Sequence, residues 1–256
     1  MKSSLLIILA LAGNAFAAVN YVNTFDEEVP LSGTGVGMGL SGPGAWYVDR
    51  YAPAAFERAD FNGGSVLKIS VSPADFNPPH TPPGHHNTQG RHFGLTGAGI
   101  GSSVSAQLYV SSSWQSMSVS TGLWLAAVDE NGDGTEFPIL GFYSNGTDSY
   151  FRIYDGIDGY QTMSDTILWD DWNTLEIVLT EDGFDYFING QAAYSSLYGE
   201  ETTEFSSVIL NTTNFGEAYD VYWDNLSTPS PTVPEPASFA LVALGSLLTL
   251  RRKRTA

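Results

Sequence analysis

Trp172-Asn173-Thr174-Leu175-Glu176-Ile177-Val178-Leu179, Glu181-Asp182-Gly183, Phe184-Asp185-Tyr186-Phe187-Ile188 and Asn189-Gly190 follow one another along the chain, and their reading decides the fold. Leu175, Ile177 and Leu179 sit at every second position, and so do Phe184, Tyr186 and Ile188. A period of two puts one set of side chains on each face of a strand. Glu181-Asp182-Gly183 turns the chain between the two runs. Asn189-Gly190 tolerates positive φ at both central positions and predicts a type I′ hairpin turn.

The same pattern continues on both sides. Runs at 65–71, 103–110, 118–128, 137–143 and 150–154 precede it, and runs at 205–210 and 219–226 follow. Ser144-Asn145-Gly146 and Asp155-Gly156 punctuate them. Helical periodicity is almost absent from this region. About ten to twelve short strands divided by Gly, Asn and Asp turns predict an all-β sandwich or barrel.

The quoted hairpin resembles the late hairpin of laminin-G-like domains, in which a Trp opens one strand and the next ends at Asn-Gly. Asp220-Val221-Tyr222-Trp223-Asp224-Asn225-Leu226 is similar to their closing strand, which would lie near an opening strand at Asn23-Thr24-Phe25-Asp26. The resemblance implies a concanavalin A-like jelly-roll β-sandwich. Trp172, Phe187 and Trp223 are expected in its core. The fold hosts lectins, hydrolases and adhesion modules alike, so it assigns no function.

Both ends read as addresses. Lys2 precedes the apolar run Leu5 to Leu11, and Ala15-Phe16-Ala17 follows. That order predicts a signal peptide over 1–17, with Ala15 and Ala17 read by signal peptidase and a short signal helix before them. At the other end, Thr228-Pro229-Ser230-Pro231-Thr232 reads as a stiff linker. Val233, Pro234, Glu235 and Pro236 come next, then an uncharged apolar stretch from Ala237 to Leu250, then Arg251, Arg252, Lys253 and Arg254. As a helix the stretch spans roughly 20 Å, short of the roughly 30 Å of a bilayer core, a deficit that snorkelling cations reduce. The basic cluster would stay cytoplasmic, leaving the preceding domain outside.

This ordered set resembles the PEP-CTERM sorting signal. The resemblance implies an exosortase that handles the tail in the inner membrane, and a host that makes extracellular polysaccharide. The expected organisation is therefore a signal peptide at 1–17, a sandwich at 18–227, a linker at 228–232 and a sorting signal at 233–256 with a short transmembrane helix. The chain is expected to be exported across the inner membrane, anchored there transiently, and delivered to the cell surface or beyond.

The net charge is −18, and the chain has no cysteine. Thiol catalysis, Cys-based zinc sites and iron–sulfur clusters are thereby excluded. Half of the ten basic residues lie in the signal and the tail. The domain retains Arg50, Arg58, Lys68, Arg91 and Arg152 and carries roughly −22, which repels phosphate backbones and argues against nucleic acid.

Asp129-Glu130-Asn131-Gly132-Asp133-Gly134 matches the opening of a calcium loop. Asp129, Asn131 and Asp133 would supply hard oxygens, but the twelfth position is Leu140 rather than Glu, so it is no EF-hand. A plain hairpin loop is the competing reading. His80, His85, His86 and His92 fall in one Pro/Gly-rich segment, read as a mobile polar loop without metal-site spacing. Trp46, Tyr47, Trp114 and Trp169 fall near apparent loops and are candidates for stacking on sugar rings. The paired-acid spacing Glu-x-Asp-x-x-Glu of glycanases is missing, as are Gly-x-Ser-x-Gly and His-Glu-x-x-His. The expectation is a non-enzymatic module associating with extracellular polysaccharide or the envelope. The alternative is a carbohydrate-active enzyme, glycanase or lyase, on the same fold.

Overall fold

The computed structural model describes residues 20–33, 44–76, 87–164, 166–199 and 201–229. The signal peptide, the sorting tail with its apolar stretch, and His80, His85 and His86 lie outside the described residues. Among the described residues no helix is long and apolar enough to cross a membrane.

Among the described residues, sixteen strands make up the fold. In chain order they are β1 (Asn20–Asn23), β2 (Trp46–Val48), β3 (Ala55–Phe61), β4 (Gly64–Val71), β5 (Thr88–Gly94), β6 (Ser103–Val110), β7 (Ser118–Val128) and β8 (Gly134–Glu136). They continue with β9 (Ile139–Asn145), β10 (Ser149–Asp155), β11 (Gly159–Met163), β12 (Asp171–Leu179), β13 (Phe184–Ile188), β14 (Gln191–Ser196), β15 (Glu204–Thr213) and β16 (Tyr219–Pro229). They form two antiparallel eight-stranded sheets. The first runs β14-β13-β12-β6-β16-β4-β3, with β1 beside β16. The second runs β11-β10-β9-β7-β15-β5-β2, with β8 beside β7. This is the expected jelly-roll β-sandwich.

The quoted stretch behaves as its pattern dictates. Leu175, Ile177 and Leu179 point inward with Phe184, Tyr186 and Ile188. Asn189 and Gly190 take φ values of 51° and 75°, the two positive angles a type I′ turn requires. Trp223 is fully buried between the sheets, packed in one core with Leu67, Leu108, Leu123 and Phe142. Trp172 and Phe187 are not core residues: they occupy the alternate positions of their strands and lie half-buried on the outer face. The opening strand lies slightly earlier than expected and pairs with the closing one, Asn23 opposite Leu226 and Asn20 opposite Pro229. Thr228 and Pro229 are thus part of the sheet rather than of a linker.

A polar clasp joins the sheets at one end. The Asp155 carboxylate, at the end of β10, accepts hydrogen bonds from Ser196 Oγ at 2.5 Å and Tyr194 Oη at 3.3 Å, both on β14. It also accepts from the amides of Ile157 and Asp158. Burial works against its charge, but these four donors outweigh it and hold the pKa below the ordinary aspartate value.

Candidate functional site

Alternation decides which side chains of the second sheet face away from the core. One row of partners crosses it as Tyr47, His92, Ile209, Trp124, Ile139, Tyr154 and Tyr160. The neighbouring row reads Gly90, Asn211, Gly122, Gly141, Arg152 and Thr162. Gly90, Gly122 and Gly141 bring no side chains to that row, which lies as a shallow trough beside the bulky one; neighbours close over the glycines themselves. A Cβ on Gly122 would come 2.8 Å from Trp124 Nε1, and one on Gly141 would come 2.3 Å from the carbonyl oxygen of Thr121.

The trough has an open end and a buried end. At the open end Arg152 projects from β10. Its guanidinium lies 4.4 Å from the Tyr143 ring centroid and 4.1 Å from that of Tyr160, and it donates to Ser120 Oγ at 2.9 Å. Tyr150 and Tyr154 flank it on the same strand, and Tyr160 is exposed. Arg50, Arg58 and Lys68 are each ion-paired, with Asp49, Asp60 and Glu57. Arg152 has no such carboxylate among the described residues. The arrangement is a cation–π clamp with its positive charge unneutralised.

The buried end collects polar groups. His92 is fully buried on β5, and neither ring nitrogen has a hydrogen-bond partner among the described residues. Its ring stacks on Tyr47 at 5.7 Å. Burial lowers the His92 pKa, and Asp49 opposes the shift only in part. Asp49 is buried beside Arg50, whose guanidinium lies 4.7 Å from the Trp124 ring centroid. Burial raises the Asp49 pKa in spite of that arginine. Asp49 Oδ1, Arg50 Nε, Ser207 Oγ and Asn211 Nδ2 are also without partners among the described residues. Folded proteins leave few buried polar atoms unsatisfied, so each of these calls for a partner that the described side chains do not supply.

Of the residues expected to meet sugar, only Tyr47 lies on this face. Trp46 and Trp114 are buried in the core, Trp46 against Phe56 and Trp114 against Phe142, and offer no open ring face. Trp169 is half-buried with its ring edge-on to Phe142. Trp46 opens the three-residue β2, Trp114 lies in a short 3-10 turn between β6 and β7, and Trp169 lies in a turn before β12; these short segments fold their rings inward. His92 does not belong to a mobile loop: Gln89-Gly90-Arg91-His92 lies within β5. A run of Gly, Arg and His lacks the apolar alternation that marks a half-buried strand. The clamp is not legible either: its members come from the consecutive strands β9, β10 and β11, and their meeting depends on the register of two hairpins.

Asp129 Oδ1 accepts the amides of Asn131 at 2.8 Å and Asp133 at 2.9 Å. These bonds, that from Asp133 first, lower its pKa. The carboxylate therefore serves the loop's own turn, which links β7 to β8. Among the described residues, no group of three or more His, Cys, Asp or Glu is placed to hold a metal ion.

Comparison with known proteins adds two findings. Residues 232–254 match the PEP-CTERM protein-sorting motif. The chain is thus an exported protein with an exosortase sorting signal. No curated protein sequence matches it. Among solved structures, one from a study of endo-acting O-glycanases expressed by human gut microbiota to initiate mucin breakdown matches at 12% identity with a TM-score of 0.52, covering 82% of this chain and 98% of that one. An apo Crh5 transglycosylase matches at 12% identity with a TM-score of 0.50, over 85% and 86% of the two chains. A sialidase matches at 14% identity with a TM-score of 0.46, over 73% of this chain but only 17% of that one. At these identities the likeness concerns the fold. It nevertheless corrects one expectation. The expectation of a non-enzymatic module rests on missing catalytic spacings, and it is overturned by fold neighbours that include a transglycosylase and a structure from a study of O-glycanases.

Proposed function

We propose that this exported chain is a carbohydrate-active enzyme that cleaves an acidic polysaccharide by β-elimination, with the trough of the second sheet as its site. The observation that carries this reading is Arg152. On a domain of roughly −22 charge, it is an unneutralised guanidinium held over the rings of two tyrosines. A uronate carboxylate is the sugar substituent such a cation selects.

Elimination uses the residue types present. The arginine neutralises the uronate carboxylate and makes the adjacent C5 proton more acidic. The hydroxyl oxygen of a tyrosine beside it, Tyr143 or Tyr150, takes that proton while its own hydroxyl proton passes to the bridging oxygen. The electron pair left at C5 forms the C4–C5 double bond as the bond from C4 to the bridging oxygen breaks. Hydrolysis would instead need two carboxyl groups facing the scissile bond. Asp49, the carboxylate at the trough's buried end, is paired with Arg50. Association with the extracellular polysaccharide layer follows as the setting of the activity. The laminin-G likeness of the late hairpin supports the sandwich and adds nothing to the chemistry.

The test is incubation of the purified domain with polyuronates and with neutral β-glucans. The expected result is ultraviolet absorbance of unsaturated uronate ends from a polyuronate, abolished in Arg152→Gln. New reducing ends from neutral glucans alone would overturn the reading.

A further inference from the structure

The opposite face of the molecule carries a second aromatic arrangement. Trp172, Tyr109 and Tyr222 stand in one cross-strand row on the outer face of the first sheet, on β12, β6 and β16. The β3–β4 hairpin brings Phe61 onto them. Phe61 stacks on Tyr222 with centroids 4.0 Å apart and meets Tyr109 edge-on at 4.8 Å. Next to this cluster is a cavity of about 420 Å³, lined by Phe61, Tyr109 and Tyr222 on its aromatic side and by Ser111, Ser113 and Asp220 on its polar side. Asp220 is exposed and accepts from Ser70 Oγ at 2.6 Å. The nearby cation, Lys68, is engaged by Glu57 at 2.7 Å.

We propose that this cavity is a glycan-binding subsite for an uncharged sugar, separate from the trough. A pyranose presents an apolar C–H face and an equatorial rim of hydroxyls. The aromatic wall matches the first. The carboxylate and the two serine hydroxyls match the second, the carboxylate as an acceptor of charge-assisted hydrogen bonds. An exposed Asp220 with no free cation beside it repels a uronate, so the charge preference is opposite to that of Arg152. The two faces of the sandwich would thus hold different stretches of a mixed polysaccharide, or hold the enzyme to a neutral chain while the trough meets an acidic one.

The experiment is isothermal titration of the purified domain with laminarihexaose and with cellohexaose. Three variants accompany the wild type: Ser113→Trp to fill the cavity, Asp220→Asn to remove the acceptor charge, and Arg152→Gln. Each is checked by thermal melting. The expected result is binding of at least one hexasaccharide by the wild type. Ser113→Trp should weaken it about tenfold or more, and Asp220→Asn by several-fold. Arg152→Gln should leave it unchanged. Ser113 is exposed, so its replacement leaves the core intact. Absence of binding to both hexasaccharides overturns the proposal. So does binding that Ser113→Trp and Asp220→Asn leave intact while both variants melt like the wild type. The Arg152→Gln arm keeps failure here distinct from failure of the elimination reading.

Discussion

A guanidinium held over two phenol rings has lost most of its freedom before any ligand arrives. Arg152 therefore recognises an anion at low entropic cost, and Tyr143 and Tyr160 are positioning residues for it. Tyr160→Ala is expected to raise KM for a polyuronate several-fold and leave kcat less affected, because it loosens the clamp without removing the charge. A steady-state comparison of the two constants checks this. His92 makes a different prediction. Its native pKa lies below its unfolded value, so the unfolded chain binds the proton more readily. The stability it contributes is complete above about pH 6.5 and is lost as pH falls through the native pKa. Thermal melting from pH 7.5 downward should show a decline below about pH 6.5 that is shallower in His92→Gln. Asp155 acts in the next window down. Its native pKa is depressed, so its contribution is present above about pH 4 and disappears as the acid titrates further. Asp155→Asn should flatten the melting profile below about pH 4 and lower Tm at neutral pH.

At the scale of elements, legibility followed the chemistry of each strand's two faces. Ser103–Val110 and Phe184–Ile188 are legible residue for residue because one face of each is apolar and the period is clean, and Ser118–Val128 because its apolar run is long. Thr88–Gly94 could not, because its inward face carries Gln89 and Arg91 and its outward face carries Gly90 and His92. Ala55–Phe61 and Gln191–Ser196 are edge strands whose weak patterns hide them. The glycines of the trough were visible as residues, yet their alignment depends on register, which local sequence does not encode. Their close packing gives a sharp prediction. A methyl at Gly141 meets the Thr121 carbonyl at 2.3 Å, closer than real contacts allow. Gly141→Ala should force β9 away from β7 and cost about 1–3 kcal/mol, measured by denaturant unfolding.

For the whole molecule, the distribution of charge matters more than its sum. The acidic surface keeps the domain soluble and repels polyanions generally, so productive encounter with an acidic glycan depends on orientation toward the trough. Added salt screens both effects. The expectation is that kcat/KM for a polyuronate rises with moderate ionic strength, as general repulsion weakens faster than contact at the clamp. Initial rates across a salt series check it. In a host with exosortase, intact mass of the secreted protein should end near the motif at 232–254, and deletion of that segment should prevent the processing.

The pairing of Asn20 with Pro229 brings both ends of the sandwich together on neighbouring strands. Whatever tethers the protein through its tail therefore pulls on β16, which is wedged between β6 on one side and β4 and β1 on the other. Load applied there must shear hydrogen bonds on both flanks at once instead of unzipping an edge. A domain suspended in flowing slime by that single strand would keep its shape under drag.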